Sequence, residues 1–128
     1  MTTAAAPVCV LIHPDGRAVW GADKVRAEEA LGSYGVGRAF LTDASLGLRI
    51  SMSDCAAIMP EEFPENRFAV EVLAHVAGLD PAGAVETRGP VVLWGWDPRN
   101  EWDSSRPLTA AERAVITEGL TAAGCAVG

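Results

Sequence analysis

The chain has 128 residues, of which 49% are hydrophobic and 21% are charged, and its formal net charge is −7. This length and composition predict one soluble globular domain that needs neither disulfides nor a metal to fold. Ten basic residues are scattered along the chain without forming a cluster, so direct binding to nucleic acid is disfavoured.

The cysteines and the apolar segments indicate the cellular compartment. Cys9, Cys55 and Cys125 are odd in number and widely spaced, which argues against a disulfide framework and a closed zinc site. The apolar residues 4–12 lack a preceding basic residue and contain Pro7, unlike a signal peptide. No stretch approaches the roughly 20 apolar residues of a membrane span. We expect a cytoplasmic protein without cofactor or metal.

A β-hairpin is predicted near the start of the chain. Residues 1–6 are expected to form a flexible tail. The apolar residues 8–13 and the extended residues 17–20 flank Pro14-Asp15-Gly16, a sequence typical of a tight turn. We therefore expect two paired strands over residues 8–20.

A helix and a second hairpin follow. Asp23 is a favourable cap for a helix that runs to about Leu31, and Gly32 can end it. Residues 36–42 and 46–51 are predicted strands joined by a short polar turn. Because leucine and isoleucine alternate with glycine, arginine and serine in the second strand, we expect one buried face and one solvent-exposed face.

The second half predicts two helices and one strand. Residues 66–77 carry apolar side chains at three- and four-residue spacing, which is typical of an amphipathic helix. Residues 91–96 are predicted to form a central strand because both faces are apolar. A polar, tryptophan-containing loop is expected over residues 97–107. The C-terminal helix is expected over residues 108–124, where Thr109 and a glutamate three residues later form a capping box.

These elements predict an α+β single domain. We expect two β-hairpins plus one further strand in a mixed or antiparallel sheet, packed against two or three helices. Either residues 8–13 or residues 46–51 could be an exposed edge strand, and neither is strongly guarded by charge. A symmetric homodimer is therefore expected more often than a monomer.

The tryptophan-rich segment is the strongest candidate for a functional surface. On a strand, Trp94 and Trp96 would share one face, and Trp102 would follow in the loop. Tryptophan is over-represented where proteins bind partners, although the three could instead complete a small core. The predicted partner-binding residues are Trp94, Trp96, Trp102, Asp97, Arg99 and Glu101.

Candidates for catalysis are weak. His13 and Asp15 could form an acid–base pair, but their sequence context favours a turn. His75 lies on the predicted polar face of a helix without the second histidine of a metal motif. The glycines of residues 32–37 follow a predicted helix, whereas a dinucleotide-binding loop follows a strand. No catalytic or metal-binding residue is predicted.

Several short motifs resemble a family of small uncharacterised proteins encoded by phages, plasmids and other mobile elements, known as a domain of unknown function. The motifs are Val10-Leu11-Ile12-His13-Pro14-Asp15-Gly16, Gly32 to Gly37, Asn66-Arg67-Phe68-Ala69 and Gly89-Pro90-Val91-Val92-Leu93-Trp94-Gly95. The resemblance covers about residues 8–96 and assigns no catalytic residue. Abundant alanine, glycine and arginine suit an actinobacterial or actinophage origin.

The function expected from these features is that of a non-enzymatic accessory protein of a phage or mobile element. It would bind a protein partner and modulate a host factor. One alternative is an acidic inhibitor that mimics DNA, since residues 61–128 carry eleven acidic and five basic residues. Another is an enzyme or small-ligand binder with a site near Trp94 and Trp96 and a histidine as base.

Overall fold

The structure is a computed structural model that describes residues 7–32, 36–40, 47–53, 55–56, 59–78, 87–97, 99 and 105–128. For residues 36–40 it describes the main chain alone. The predicted tail at residues 1–6, Glu101 and Trp102 lie outside the described residues.

Among the described residues, six strands form one mixed sheet. They are β1 (Cys9–Ile12), β2 (Arg17–Gly21), β3 (Val36–Phe40), β4 (Leu48–Ser53), β5 (Val91–Gly95) and β6 (Ala126–Val127). Their spatial order is β3-β4-β5-β1-β2-β6, and only the β2–β6 pair is parallel. The predicted α+β single domain with two hairpins and a further strand is confirmed, and β6 is a short addition that the sequence analysis missed.

Three α-helices lie in the described part of the chain, and each follows a capping residue, of which Asp23 and Thr109 were predicted. They are α1 (Lys24–Glu28), which continues into a 3-10 turn (Glu29–Leu31), α2 (Arg67–Ala77) and α3 (Ala110–Ala123). The caps are Asp23, Asn66 and Thr109, whose side chains accept hydrogen bonds from main-chain N–H groups of the first turn. The capping box predicted at Thr109 is confirmed.

The main core lies between the sheet and the pair α2–α3. One face of the sheet, called here the helix face, packs against α2 and α3, which also contact each other. The buried side chains of this core come from β1, β2, β4 and β5, from Leu108 before α3 and from both helices, and include Val10, Ile12, Leu48, Ile50, Val72, Leu73, Val91, Leu93, Ile116 and Leu120.

A smaller core lies on the opposite face, called here the α1 face. Its buried members are Cys9, Leu31, Val92 and Trp94, and α1 contacts β1 and β5. Because β5 contributes side chains to both cores, it is the central strand that the sequence predicted.

Two sequence-based expectations about the sheet are wrong. The strand β4 has no solvent-exposed face, since Arg49 and Ser51 are buried as well as Leu48 and Ile50. The reason is that Arg49 packs against the rings of Trp94 and Trp96 on the α1 face, while Leu48 and Ile50 belong to the main core on the helix face. The strands expected at an edge, β1 and β4, are both internal, and the edges are β3 and β6. The homodimer stays a prediction, but it is no longer supported by an exposed edge at β1 or β4.

Candidate functional site

Trp94, the first of the predicted partner-binding residues, is a core residue. Its side chain has no solvent-accessible surface, and its indole Nε1 donates a hydrogen bond to Ser51 Oγ at 2.9 Å. A fully enclosed indole whose only polar atom is satisfied contributes to stability. Trp94 therefore has no surface that a partner could contact in this conformation.

A buried ion pair lies against the Trp94 ring. Lys24 in α1 is 2% exposed, and its Nζ lies 4.3 Å from the ring centroid of Trp94. The same Nζ lies 3.5 Å from Oε1 of Glu28, which is 6% exposed. Burying both charges carries a desolvation cost, which their mutual attraction and the cation–π contact offset. The contact of Lys24 with Trp94 joins α1 to this face of the sheet, and Glu28, one helical turn away on α1, partners the Lys24 charge.

A second cation contacts the same aromatic side chains. The guanidinium carbon of Arg49 lies 5.6 Å from the ring centroids of both Trp94 and Trp96. The register pairs Arg49 directly with Trp94 across β4 and β5, which accounts for the contact. Trp96 is half-buried, so part of its side chain remains available to solvent at the end of β5.

The residues after β5 form a local ion pair. The Asp97 carboxylate accepts hydrogen bonds from the main-chain N–H of Arg99 at 3.0 Å and from its Nε at 3.2 Å. The side-chain and main-chain hydrogen bonds from Arg99 hold the pKa of Asp97 below its ordinary value. The side-chain bond and the charge of Asp97 raise the pKa of Arg99. Arg99 has 87% of its side chain exposed, and it is the most accessible of the predicted contact residues that the structure describes.

Arg106 connects the end of β5 to the segment before β4 and to α3. Its Nε donates to the carbonyl oxygen of Trp96 at 3.1 Å, and its Nη2 donates to that of Gly47 at 3.1 Å. Its Nη1 and Nη2 also donate to the two carboxylate oxygens of Glu112 at 2.7 and 2.8 Å. Burial raises the pKa of Glu112, but hydrogen bonds from Arg106 and from the main-chain N–H of Thr109 outweigh it and lower that pKa. This network is structural.

An apolar groove opens on the α1 face beside β2. It has a volume of about 350 Å³. Its floor is formed by Leu11 and Val19, which face each other across β1 and β2. Its far wall is the first turn of α1, and the residues that line it include Leu11, Val19, Gly21, Asp23, Arg26 and Ala27. We call it the α1 groove.

Part of the apolar surface of the α1 groove is exposed to solvent. Val19 is 45% exposed, although it lies in the middle of a strand. Gly21 has no side chain between Val19 and the helix, and a Cβ there would lie only 3.1 Å from the sulfur of Cys9, which is a tight contact. The sequence does not predict the groove, because the pattern of β2 does not reveal that α1 covers only part of this face.

The two histidines lie in structural positions. His13 closes the β1–β2 turn, where its main-chain N–H donates to the Arg17 carbonyl at 2.8 Å, while Asp15 pairs with Arg17. His75 on α2 lies 3.5 Å from Glu118 on α3. His13 lies four residues after Cys9, which pairs with Trp94 across β1 and β5. Four residues of an extended strand span about 13 Å, so His13 does not lie beside Trp94.

The Cys9 thiol is protected chemically as well as sterically. Burial, with smaller contributions from Asp23 and Glu28, raises the pKa of Cys9 to about 11. Cys9, Cys55 and Cys125 are thiols. Within the described parts of the chain, no group of three histidine, cysteine or carboxylate side chains is placed to hold a metal ion.

Comparison with protein-family models, curated proteins and solved structures found no match for this chain. The resemblance to mobile-element proteins therefore stays a prediction. No helix among the described residues has the length and apolar character needed to cross a bilayer.

Proposed function

We propose that this chain acts by binding another protein and that the α1 groove is the binding surface. The observation that carries the proposal is the exposure of Val19, which forms part of an apolar floor with Leu11. Exposed apolar concavities on a small domain mark interaction sites more often than scattered surface valines do. A partner that covers Val19 would remove its apolar surface from water.

Charged side chains at the rim suit recognition of a polypeptide. Asp23 and Arg26 line the groove on its helix side and are exposed. The Asp23 carboxylate accepts hydrogen bonds from the main-chain N–H groups of Val25 and Arg26 at 3.0 and 3.3 Å. An apolar floor with a rim of both charges resembles the arrangement of a protein interface, in which the rim provides orientation.

The groups beside the groove that could perform acid–base or nucleophilic chemistry already stabilise the fold. Asp23 caps α1, and the pKa of Cys9 is raised to about 11, which leaves almost no thiolate near neutral pH. This supports binding over catalysis. We place the accessory role for a phage or mobile element within the same proposal, with a host protein as the partner.

The DNA-mimicking alternative has less support. Two of the described carboxylates, Asp15 and Asp97, are paired with neighbouring arginines, and a mimic needs unpaired carboxylates spaced like phosphates. Salt dependence separates the two functions, since binding through charge would weaken steeply between roughly 50 and 300 mM salt. Binding through the α1 groove should change little over that range.

The proposal can be tested by selecting ligands from a displayed library of short random peptides. Selected peptides are then titrated against the wild type, Val19→Glu and the matched control Val25→Glu. Val25 is 64% exposed on α1 and does not line the groove. We expect Val19→Glu to weaken binding by about tenfold or more, because it places a charge on the apolar floor, and Val25→Glu to bind like the wild type.

Thermal unfolding of each variant checks that both remain folded. Both substitutions are at exposed positions, so their effects on stability should be small. If the library yields no peptide, or if peptides bind Val19→Glu as tightly as the wild type, the α1 groove is not the binding surface.

A further inference from the structure

Arg26 places an exposed cation at the wall of the α1 groove. The residue lies in the first turn of α1, and its exposed side chain lines the groove. Its main-chain N–H donates to the Asp23 carboxylate at 3.3 Å, but its guanidinium has neither a hydrogen bond nor an ion pair within the part of the chain that the structure describes. The N–H donors of this side chain therefore face solvent and are available to a ligand.

Most other described arginines already have a partner within the chain. Those paired with a carboxylate are Arg17 with Asp15, Arg99 with Asp97 and Arg106 with Glu112. Arg67, in the first turn of α2, is the other described arginine whose guanidinium has no such partner; it is exposed but does not line the groove. Arginine is enriched at protein interfaces, where its guanidinium forms directed pairs with carboxylates. Its position beside an exposed apolar floor therefore makes Arg26 a candidate for pairing with a carboxylate of the partner.

The two charged residues that line the groove differ in what already compensates their charge. Asp23 Oδ1 accepts hydrogen bonds from the main-chain N–H groups of Val25 and Arg26, so the start of α1 stabilises the Asp23 carboxylate. Arg26 has no comparable partner for its guanidinium among the described groups. A carboxylate of the partner would pair with this guanidinium through charge-assisted hydrogen bonds, whereas a cation would meet a carboxylate that already caps a helix. The charge that remains to be complemented is that of Arg26.

We propose that the α1 groove selects a polypeptide segment that carries an acidic side chain near an apolar one. The apolar side chain contacts the exposed surface of Val19, and the aspartate or glutamate pairs with Arg26. This inference rests on the function proposed above and names the chemistry of the partner. An exposed ion pair changes affinity by up to about fivefold, so the apolar floor provides most of the binding and the pair provides selectivity and orientation. One exposed pair also adds little salt dependence.

Parallel selections from one peptide library test the inference first. The library is selected against the wild type, Arg26→Glu and the matched control Arg67→Glu. Both substitutions change the net charge equally, and both place a glutamate in the first turn of a helix, where a negative charge is favourable. We expect acidic residues to be enriched near the apolar position in peptides selected by the wild type and by Arg67→Glu. This enrichment should be absent from peptides selected by Arg26→Glu.

Charge exchange on one selected peptide then measures the coupling between the two groups. The peptide is amidated at its C-terminus, so that its carboxylates are side chains, and a second version carries lysine in place of the acidic residue. We expect Arg26→Glu to bind the original peptide about fivefold more weakly than the wild type does, or worse, and to recover affinity for the lysine version. Arg67→Glu should bind both versions like the wild type. Thermal unfolding checks that each variant is folded, and Arg26→Gln, which only removes the charge, should weaken binding of the original peptide in the same direction.

The outcomes separate the two proposals. Binding that Val19→Glu weakens, but that neither substitution of Arg26 changes, overturns the acidic partner and leaves the groove as the binding surface. Enrichment of basic residues, with binding weakened by Asp23→Asn, overturns it in the same way, because asparagine keeps the helix cap and removes only the charge. Peptide binding that does not depend on Val19 overturns the proposed function itself. Acidic enrichment that depends on Arg26, together with recovery by the lysine version, supports both.

Discussion

Asn66 connects three parts of the fold through one buried side chain. The residue has no accessible surface. Its Nδ2 donates hydrogen bonds to the carbonyl oxygens of Ile12 and Gly89, each at 2.9 Å, while its Oδ1 accepts one from the N–H of Ala69 at 3.0 Å. The side chain thus caps α2 and holds it to the end of β1 and to the segment before β5.

The cost of removing this side chain follows from those three bonds. Loss of a helix N-cap costs about 1 kcal/mol, and loss of each of the two bonds to carbonyl oxygens costs about 1 kcal/mol more. We therefore expect Asn66→Ala to lower the free energy of unfolding by about 3 kcal/mol. This is a large fraction of the roughly 5–15 kcal/mol that stabilises a domain.

A matched cap on α3 provides the control. Thr109 caps that helix by accepting from the N–H of Glu112 at 3.1 Å, and it is exposed. Thr109→Ala should cost only about 1 kcal/mol, since no hydrogen bond to a distant strand is lost. Equilibrium unfolding in urea, followed by tryptophan fluorescence, gives both values. Equal losses for the two variants would refute the role assigned to the bonds from Asn66 Nδ2.

Three further outcomes are expected. In the native protein at about pH 8, Cys9 should resist alkylation because a pKa of about 11 leaves about 0.1% thiolate. Half-buried Cys55 should react under the same conditions. Mass spectrometry identifies the modified cysteine, and early modification of Cys9 would contradict this prediction. Because the pKa of Glu112 is lowered in the folded protein, its carboxylate contributes to stability fully above the ordinary pKa of 4.5, and this contribution is lost as the pH falls below that value. The variant Glu112→Gln should not show this loss of stability when unfolding in urea is measured at a series of pH values below 4.5. A pH dependence identical to that of the wild type would contradict the role of Glu112. Gly16→Ala should lower stability by about 2 kcal/mol because φ is +94° and an aromatic ring lies 2.9 Å from the new Cβ; Gly78→Ala, at φ +70° with open space, should cost less.

Much of the fold could be predicted because local chemistry determines the element boundaries. The caps at Asp23 and Thr109 place the starts of α1 and α3, and the apolar spacing of residues 66–77 predicts α2. The turn at residues 14–16 places the first hairpin. The strand order could not be predicted, since it depends on pairings between distant segments, such as that of β1 with β5. For that reason β1 and β4 were wrongly considered as edges.

The candidate site was harder to predict than the fold. The prediction that β5 is a central strand is confirmed, and this central position is the reason that Trp94 is buried. Lys24 and Glu28 have the spacing of an exposed ion pair on a helix, and sequence gives no sign that α1 turns them inward against Trp94. The exposure of Val19 likewise depends on how far α1 extends across the sheet.

The most direct test of the central claim is the map of amide chemical-shift changes when a selected peptide is titrated into the ¹⁵N-labelled protein. Binding in the α1 groove should shift the amides of Leu11, Val19 and Ala27 most, because these residues line it. The amide of Arg99, in the exposed turn after β5, should change little. The largest shifts at Arg99, or on α2 and α3, would contradict the assignment of the α1 groove as the protein-binding surface.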